Sequence, residues 1–232
     1  MKLLLIICSH MVLITSCGQK SFPEYAAEPA EVQREERQGY YQVSLSGLNQ
    51  AVAGTVKGVG YLHTKENQFY TRVELHSQNF GLTHRQAIHL GGKCPNGNSD
   101  VNKDGIIDFD ETIQTAGKIL IPLDSDIESQ ALGNEYPFIK EDGMYQYSEA
   151  TPLDRMMDDL FEEDIDPEDN VGKLNRNENL ELEARTVIVY GIPETKILPD
   201  SVTSNGQEPH DHWIPIACGI IFEGKELDES LL

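Results

Sequence analysis

Seven short segments of this chain have the patterning of β-strands, and they constrain its fold more than any other feature. YYQVSLSGL (40–48), TVKGVGYLHT (55–64) and FYTRVELHSQ (69–78) alternate apolar with polar residues. Successive side chains of a strand point to opposite faces, so such a segment buries one face and wets the other. HRQAIHL (84–90) and GKILIPL (117–123) are further short strands. ARTVIVYG (184–191) and WIPIACGIIF (213–222) are apolar and β-branched, as buried strands are. KENQ (65–68) separates the second segment from the third and predicts a hairpin. With Gly, Asn and Pro turns between the rest, the pattern predicts an all-β sandwich. One segment departs from it. TPLDRMMDDLFEED (151–164) carries apolar residues at 153, 156, 157, 160 and 161. It predicts an amphipathic helix over about 151–163, with Thr151 as cap and Pro152 at the first helical position, packed on the sandwich. The acidic run that follows, EEDIDPEDN (162–170), reads as a solvated loop.

Asp100 to Glu111, DVNKDGIIDFDE, matches each position of the EF-hand calcium-loop pattern. Calcium is a hard cation that takes six to eight oxygen ligands. Asp100, Asn102 and Asp104 offer side-chain oxygens from alternate residues, and Gly105 permits the sharp turn around the ion. Ile106 would give its carbonyl, Asp108 would act directly or through a water, and Glu111 would close the shell with both carboxylate oxygens. Ile107 is apolar and placed to pin the loop to a core. A solvated acidic turn needs only two or three such residues, fewer than the six ligand positions here. Upstream, GGKCPNGNS (91–99) is too rich in Gly, Pro and Asn for an entering helix. Downstream, Asp110 to Ala116 predicts about two helical turns, stopped by Gly117. No second loop matches, so the expectation is a single structural calcium loop and not a paired sensor.

The first sixteen residues read as a leader, with Lys2 ahead of the apolar run 3–15, which is too short to span a membrane. Ile14-Thr15-Ser16-Cys17 resembles the lipobox of bacterial lipoproteins. That resemblance implies cleavage before Cys17 and acylation of Cys17, and several acyl chains anchor stably where one does not. Gly18 then points to sorting to the outer membrane, facing periplasm or surface. Residues 17–38 predict a flexible tether, 39–224 the sandwich domain and 225–232 a tail. Within the domain, 95–170 is expected as an insertion carrying the calcium loop and the helix. The formal charge is −21, and removing residues 1–16 takes away one Lys and no acid, giving about −22. This argues against nucleic acid or anionic headgroups as partners and favours cations. The sequence names no protein partner. Cys8 leaves with the leader and Cys17 is acylated, so Cys94 and Cys218 remain, a pair that outside the cytoplasm is more often a disulfide than two free thiols.

Three stretches together resemble the Cu,Zn superoxide dismutase-like sandwich and its non-enzymatic relatives, including chordin-type (CHRD) domains. The first is VKGVGYLH with YTRVELHSQNFGLTHRQAIHLGGKC (within 56–94), similar to an opening hairpin, a histidine strand and the first disulfide cysteine. ARTVIVYG (184–191) is similar to the late strand that carries a copper histidine, and IACGII (216–221) to the closing strand with the second cysteine. The resemblance implies a Greek-key sandwich and a bond between Cys94 and Cys218. The family's metal ligands are replaced. Its His-x-His falls on Ala87-Ile88-His89, its late copper histidine on Tyr190 and its late Arg on Pro215. The calcium loop occupies the place of the zinc-loop ligands.

Among the remaining histidines, His84 and His89 would face opposite ways on a regular strand, one hydrogen-bonded inside and the other exposed. His210 and His212 would share a face if their segment were a strand, and would then form a transition-metal pair. The sequence therefore predicts a calcium-binding, lipid-anchored extracytoplasmic domain with no enzyme activity. A divergent copper-binding superoxide dismutase-like protein and an interaction module with structural calcium are the other readings.

Overall fold

The computed structural model describes residues 38–225, apart from 79–80, 134, 141, 162–169, 177 and 207. The expected leader, Cys17, nearly all of the tether and tail, and most of the acidic run 162–170 lie outside the described residues.

The all-β expectation holds. The strands are β1 (Gly39–Gly47), β2 (Val56–Lys65), β3 (Gln68–Ser77), β4 (Gln86–His89), β5 (Ile119–Pro122), β6 (Met144–Pro152), β7 (Thr186–Tyr190) and β8 (Pro215–Glu223). They form one hydrogen-bonded sheet in the order β5-β4-β7-β8-β1-β2-β3-β6. Each neighbouring pair is antiparallel. The expected hairpin joins β2 to β3. Lys65 pairs with Gln68, and Glu66 and Asn67 between them have φ of 52° and 59°. Two positive φ values make the two-residue turn whose twist matches that of the strands.

The sheet curls until its ends meet. The Tyr145 hydroxyl on β6 donates to Gln86 Oε1 on β4 at 2.8 Å, and the Tyr147 hydroxyl donates to the Asp124 carbonyl just beyond β5 at 2.8 Å. Curling is the accumulated right-handed twist of the strands. Two expectations need correction here. The 95–170 span is no mere insertion, because it supplies both end strands, β5 and β6. The helix is shorter than 151–163. Thr151 and Pro152 finish β6, where Phe69 pairs with Thr151 and Gln68 with Pro152, and the helix begins only at Leu153. A Thr-Pro pair serves a strand end as well as a helix start, and pairing with β3 decides between them.

Among the described residues, three α-helices decorate the sheet: α1 (Gln50–Ala53), α2 (Phe109–Ala116) and α3 (Leu153–Leu160). The α3 face is buried as its spacing predicts, with Leu153, Met156, Met157 and Leu160 in the main core. Strand β7 shows why its five residues are all apolar or small. Val187 and Val189 enter the main core inside the curled sheet, while Ile188 and Tyr190 enter a second core on the other face. That second core also holds Phe109 of α2, Trp213 and Cys218. The expected disulfide joins Cys94 to Cys218, with Cα atoms 5.7 Å apart and 124 residues between them in sequence. It fastens the segment leading into the acidic loop onto β8.

Candidate metal centre

The chain from Asp100 to Glu111 folds as one closed turn running into α2, and its side chains hold that turn from within. Asp100 accepts the Asp104 N–H through Oδ1 at 3.2 Å and the Gly105 N–H through Oδ2 at 3.0 Å. Asn102 Oδ1 accepts the Asp104 N–H at 2.9 Å, and Asp104 Oδ1 accepts the Ile106 N–H at 2.8 Å. Two left-handed residues make the reversal, Lys103 with φ 61° and Gly105 with φ 90°. At Gly105 the absence of a Cβ removes the steric cost of that conformation. Glu111 then reaches back to the beginning. Its Oε1 accepts the N–H of Val101 at 2.6 Å and of Asn102 at 3.2 Å, and its Oε2 accepts the Asp108 N–H at 3.1 Å. The twelfth position thus lies against the second and third, as a ligand closing an oxygen shell must.

Asp108 has a second task. Its Oδ1 accepts the Glu111 N–H at 3.0 Å, completing a capping box at the start of α2. Its Oδ2 accepts the Thr203 N–H at 2.9 Å. With both oxygens engaged by backbone donors, Asp108 suits an ion reached through a water better than one bound directly. α2 follows the expected course, beginning one residue earlier at Phe109 and ending at Ala116, with Gly117 as its cap. The segment 91–99 has no helix, also as expected.

Residues far along the chain brace the loop. Asn49, itself at φ 45°, accepts the Ile107 N–H at 2.9 Å and donates to the carbonyls of Ile107 at 2.7 Å and Pro215 at 3.0 Å. Ser201 donates to Asp104 Oδ2 at 2.5 Å, and Asn102 Nδ2 donates to the same oxygen at 3.0 Å. Burial pushes the Asp104 carboxyl up, but the hydrogen bonds from Ser201, the Ile106 N–H and Asn102 outweigh it and hold the carboxyl below its usual range. Ile106 and Ile107 are both buried, and Ile106 is the one that joins the main core. Phe109 packs edge-on against Trp213 with ring centres 5.0 Å apart and lies tilted against Tyr190 at 6.2 Å. None of Asn49, Ser201, Thr203 or Trp213 carries a sequence signal for this role, since they lie 58 to 104 positions from the residues they brace.

The donor set is all oxygen and so fits calcium better than a softer ion. Each carboxylate oxygen has two lone-pair sites, and accepting one N–H leaves a site for a cation. Asp100, Asp104 and Glu111 do not gather their oxygens within 4.8 Å of one another. Like charges at that range oppose one another unless a cation lies between them.

His84 and His89 belong to a hydrogen-bonded interior. His84 and His89 are both fully buried, which corrects the expectation that one is exposed. His84 Nδ1 donates to the Tyr190 carbonyl at 2.9 Å. His89 Nδ1 donates to the Gly117 carbonyl at 2.8 Å, leaving Nε2 to accept from the Tyr190 hydroxyl at 2.7 Å. The Tyr190 hydroxyl thus occupies the second nitrogen of His89. Compared with known proteins, the chain matches no family model and no curated protein.

His210 and His212 do not lie on a common strand face. Residues 210–213 form a 3₁₀ turn, in which i and i+2 diverge, and His210 is exposed. His212 converges instead with Asp211 and with Glu194, and their ligand atoms lie within 4.8 Å of one another. Among the described residues this is the one such group of three. Glu194 lies in a Pro-containing turn with no sequence pattern linking it to 211–212.

Proposed function

We propose that this chain is a lipid-anchored, extracytoplasmic calcium-binding domain in which one EF-hand-type loop orders an all-β fold, without enzyme activity of its own. The observation that carries the reading is the return of Glu111 to the N–H groups of Val101 and Asn102, in a loop whose twelve residues fit the calcium pattern throughout. Asp100, Asn102, Asp104, the Ile106 carbonyl and Glu111 are the direct ligands, and Asp108 acts through a water. Five acids and one Lys fall within 100–111, so a bound divalent ion offsets a strong local excess of negative charge. Extracellular calcium modules bind at roughly 0.1–1 mM, so at this site ordering would follow calcium in the surroundings. The commitment of both His89 nitrogens supports a reading without copper at the histidine strand.

Thermal melting under calcium titration tests the proposal. With a dissociation constant of about 1 mM, 10 mM calcium stabilises by about 1.4 kcal/mol. For a domain of this size that raises the melting temperature by about 3–6 °C. Glu111→Gln keeps the shape but removes the bidentate charge, and its melting temperature should barely respond. A wild-type protein indifferent to calcium, or a variant that responds equally, refutes the reading.

A further inference from the structure

A second cluster stands in a cleft of about 630 Å³ on another part of the domain, lined by residues of 81–85, 135–138, 192–194 and 211–212. Two backbone bonds hold its parts together. The Gly191 N–H donates to the Ile214 carbonyl at 2.9 Å and the Ile192 N–H to the Asp211 carbonyl at 3.0 Å, so the turn that carries Glu194 is laid against the 3₁₀ turn that carries Asp211 and His212. Trp213 fixes that 3₁₀ turn from below, donating through Nε1 to Glu208 at 2.7 Å while its ring packs on Phe109 and Tyr190.

The side chains so placed have unmet needs. Asp211 Oδ2 is shut off from solvent and has no hydrogen-bond donor, and the same holds for His212 Nδ1. His212 Nε2 lies 3.8 Å from Asp211 Oδ2, too far for a hydrogen bond. Arg85 lines the same cleft, but its guanidinium is paired with Glu208 and lies over the Trp213 ring at 5.5 Å. Among the described residues no Lys or Arg pairs with Glu194 or Asp211. A buried carboxylate oxygen without a donor costs free energy, and an ion is one of the few things that explain it.

We propose that Glu194, Asp211 and His212 form a site for a first-row transition ion of the zinc type, separate from the calcium loop. The donor chemistry chooses the ion. An imidazole with two carboxylates suits zinc or its first-row neighbours, whereas calcium takes oxygen alone. Bonds of about 2.0–2.1 Å set tetrahedral ligand atoms about 3.4 Å apart. The exposed Glu194 side chain, free to rotate, closes the difference from the present spread. Three protein ligands leave a fourth position facing the cleft, which a water or a ligand from solution would fill.

Calorimetric titration of the full chain with zinc, in saturating calcium, tests the site. One zinc ion should bind. His212→Ala and Glu194→Gln should each weaken it by about 100-fold or more, since even outer-shell changes at metal sites cost 10–100-fold. Glu111→Gln should leave zinc binding unchanged, so the site stands or falls independently of the calcium loop. Cobalt in place of zinc should give the visible absorption of a low-symmetry nitrogen–oxygen site, absent in His212→Ala. If His212→Ala does not fold, the exposed Glu194→Gln decides. No zinc binding, undiminished binding in the variant that decides, or displacement of zinc by equimolar calcium overturns the proposal.

Discussion

The His89 imidazole is fully buried and both of its nitrogens are engaged, one donating to Gly117 and the other accepting from Tyr190. That arrangement works only for the neutral ring. A proton on Nε2 would face a hydroxyl already donating to it, in a place that cannot hydrate the charge. Burial accordingly lowers the pKa to about 4, against a smaller upward pull from the Gly117 carbonyl. The sign of the pH dependence follows. The unfolded ring titrates near 6.5, so between about 6.5 and 4 the unfolded chain binds the extra proton and the folded one does not. Stability is therefore full above pH 6.5, falls as pH drops through this window, and levels off from this group below 4. At 1.36 kcal/mol per unit the loss is roughly 3 kcal/mol. His63, stacked between Tyr40 and Tyr70 and also shifted down by burial, acts in the same direction. Urea midpoints measured from pH 7.5 to 4.5 should fall, with a shallower fall in His89→Gln. A flat profile in the wild-type protein would contradict a buried neutral imidazole.

Between elements, the firmest joint to the acidic loop is Asn49. Its amide bonds to both backbone groups of Ile107 and to the Pro215 carbonyl, tying the loop to the ends of β1 and β8. Asn also tolerates the left-handed backbone at this position. The two contributions separate experimentally. Asn49→Gly keeps the backbone freedom and loses the bonds, leaving buried groups of Ile107 unpaired at about 1–3 kcal/mol. Asn49→Ala adds the left-handed penalty of about 1–2 kcal/mol. Denaturant unfolding should thus rank wild type above Gly and Gly above Ala, and an Ala variant as stable as Gly would mean that the backbone at 49 relaxes. The sequence announces none of this, because Asn49 and Ile107 are 58 positions apart. It does announce what is local. The spacing of Asp100 to Glu111, the stop at Gly117 and the β2–β3 hairpin follow from residues within one turn of each other. Strand β6 escapes such reading. Its alternation of Tyr145 and Tyr147 with Met144 and Gln146 is clear only once β3 lies beside it, and its closing Thr-Pro imitates a helix start. The histidines mislead for the same reason, since Tyr190 and Gly117 reach His89 only across the folded sheet.

Across the whole molecule, the disulfide and the proposed calcium ion would restrain the same long connection, and their magnitudes decide which dominates. The Cys94–Cys218 bond closes a loop spanning 124 positions, which in the chain-entropy model stabilises by about 5 kcal/mol. Under the proposed function, calcium at ten times its dissociation constant would contribute about 1.4 kcal/mol. The covalent tie is therefore the main support, and under the proposed function the ion would be a smaller one. Cys94 lies only six positions before Asp100, and Cys218 lies on the strand whose first residue, Pro215, is held by Asn49. Reduction frees the entrance of the loop from β8 and adds to the entropy that calcium must overcome. Unfolding measured with the bond oxidised or reduced, each with calcium or chelator, should show reduction as the larger loss. It should also show a smaller calcium increment in the reduced protein. An increment that is the same in both states would make the loop autonomous of its tether. A chelator effect larger than that of reduction would place the calcium loop, and not the disulfide, at the centre of the fold's stability.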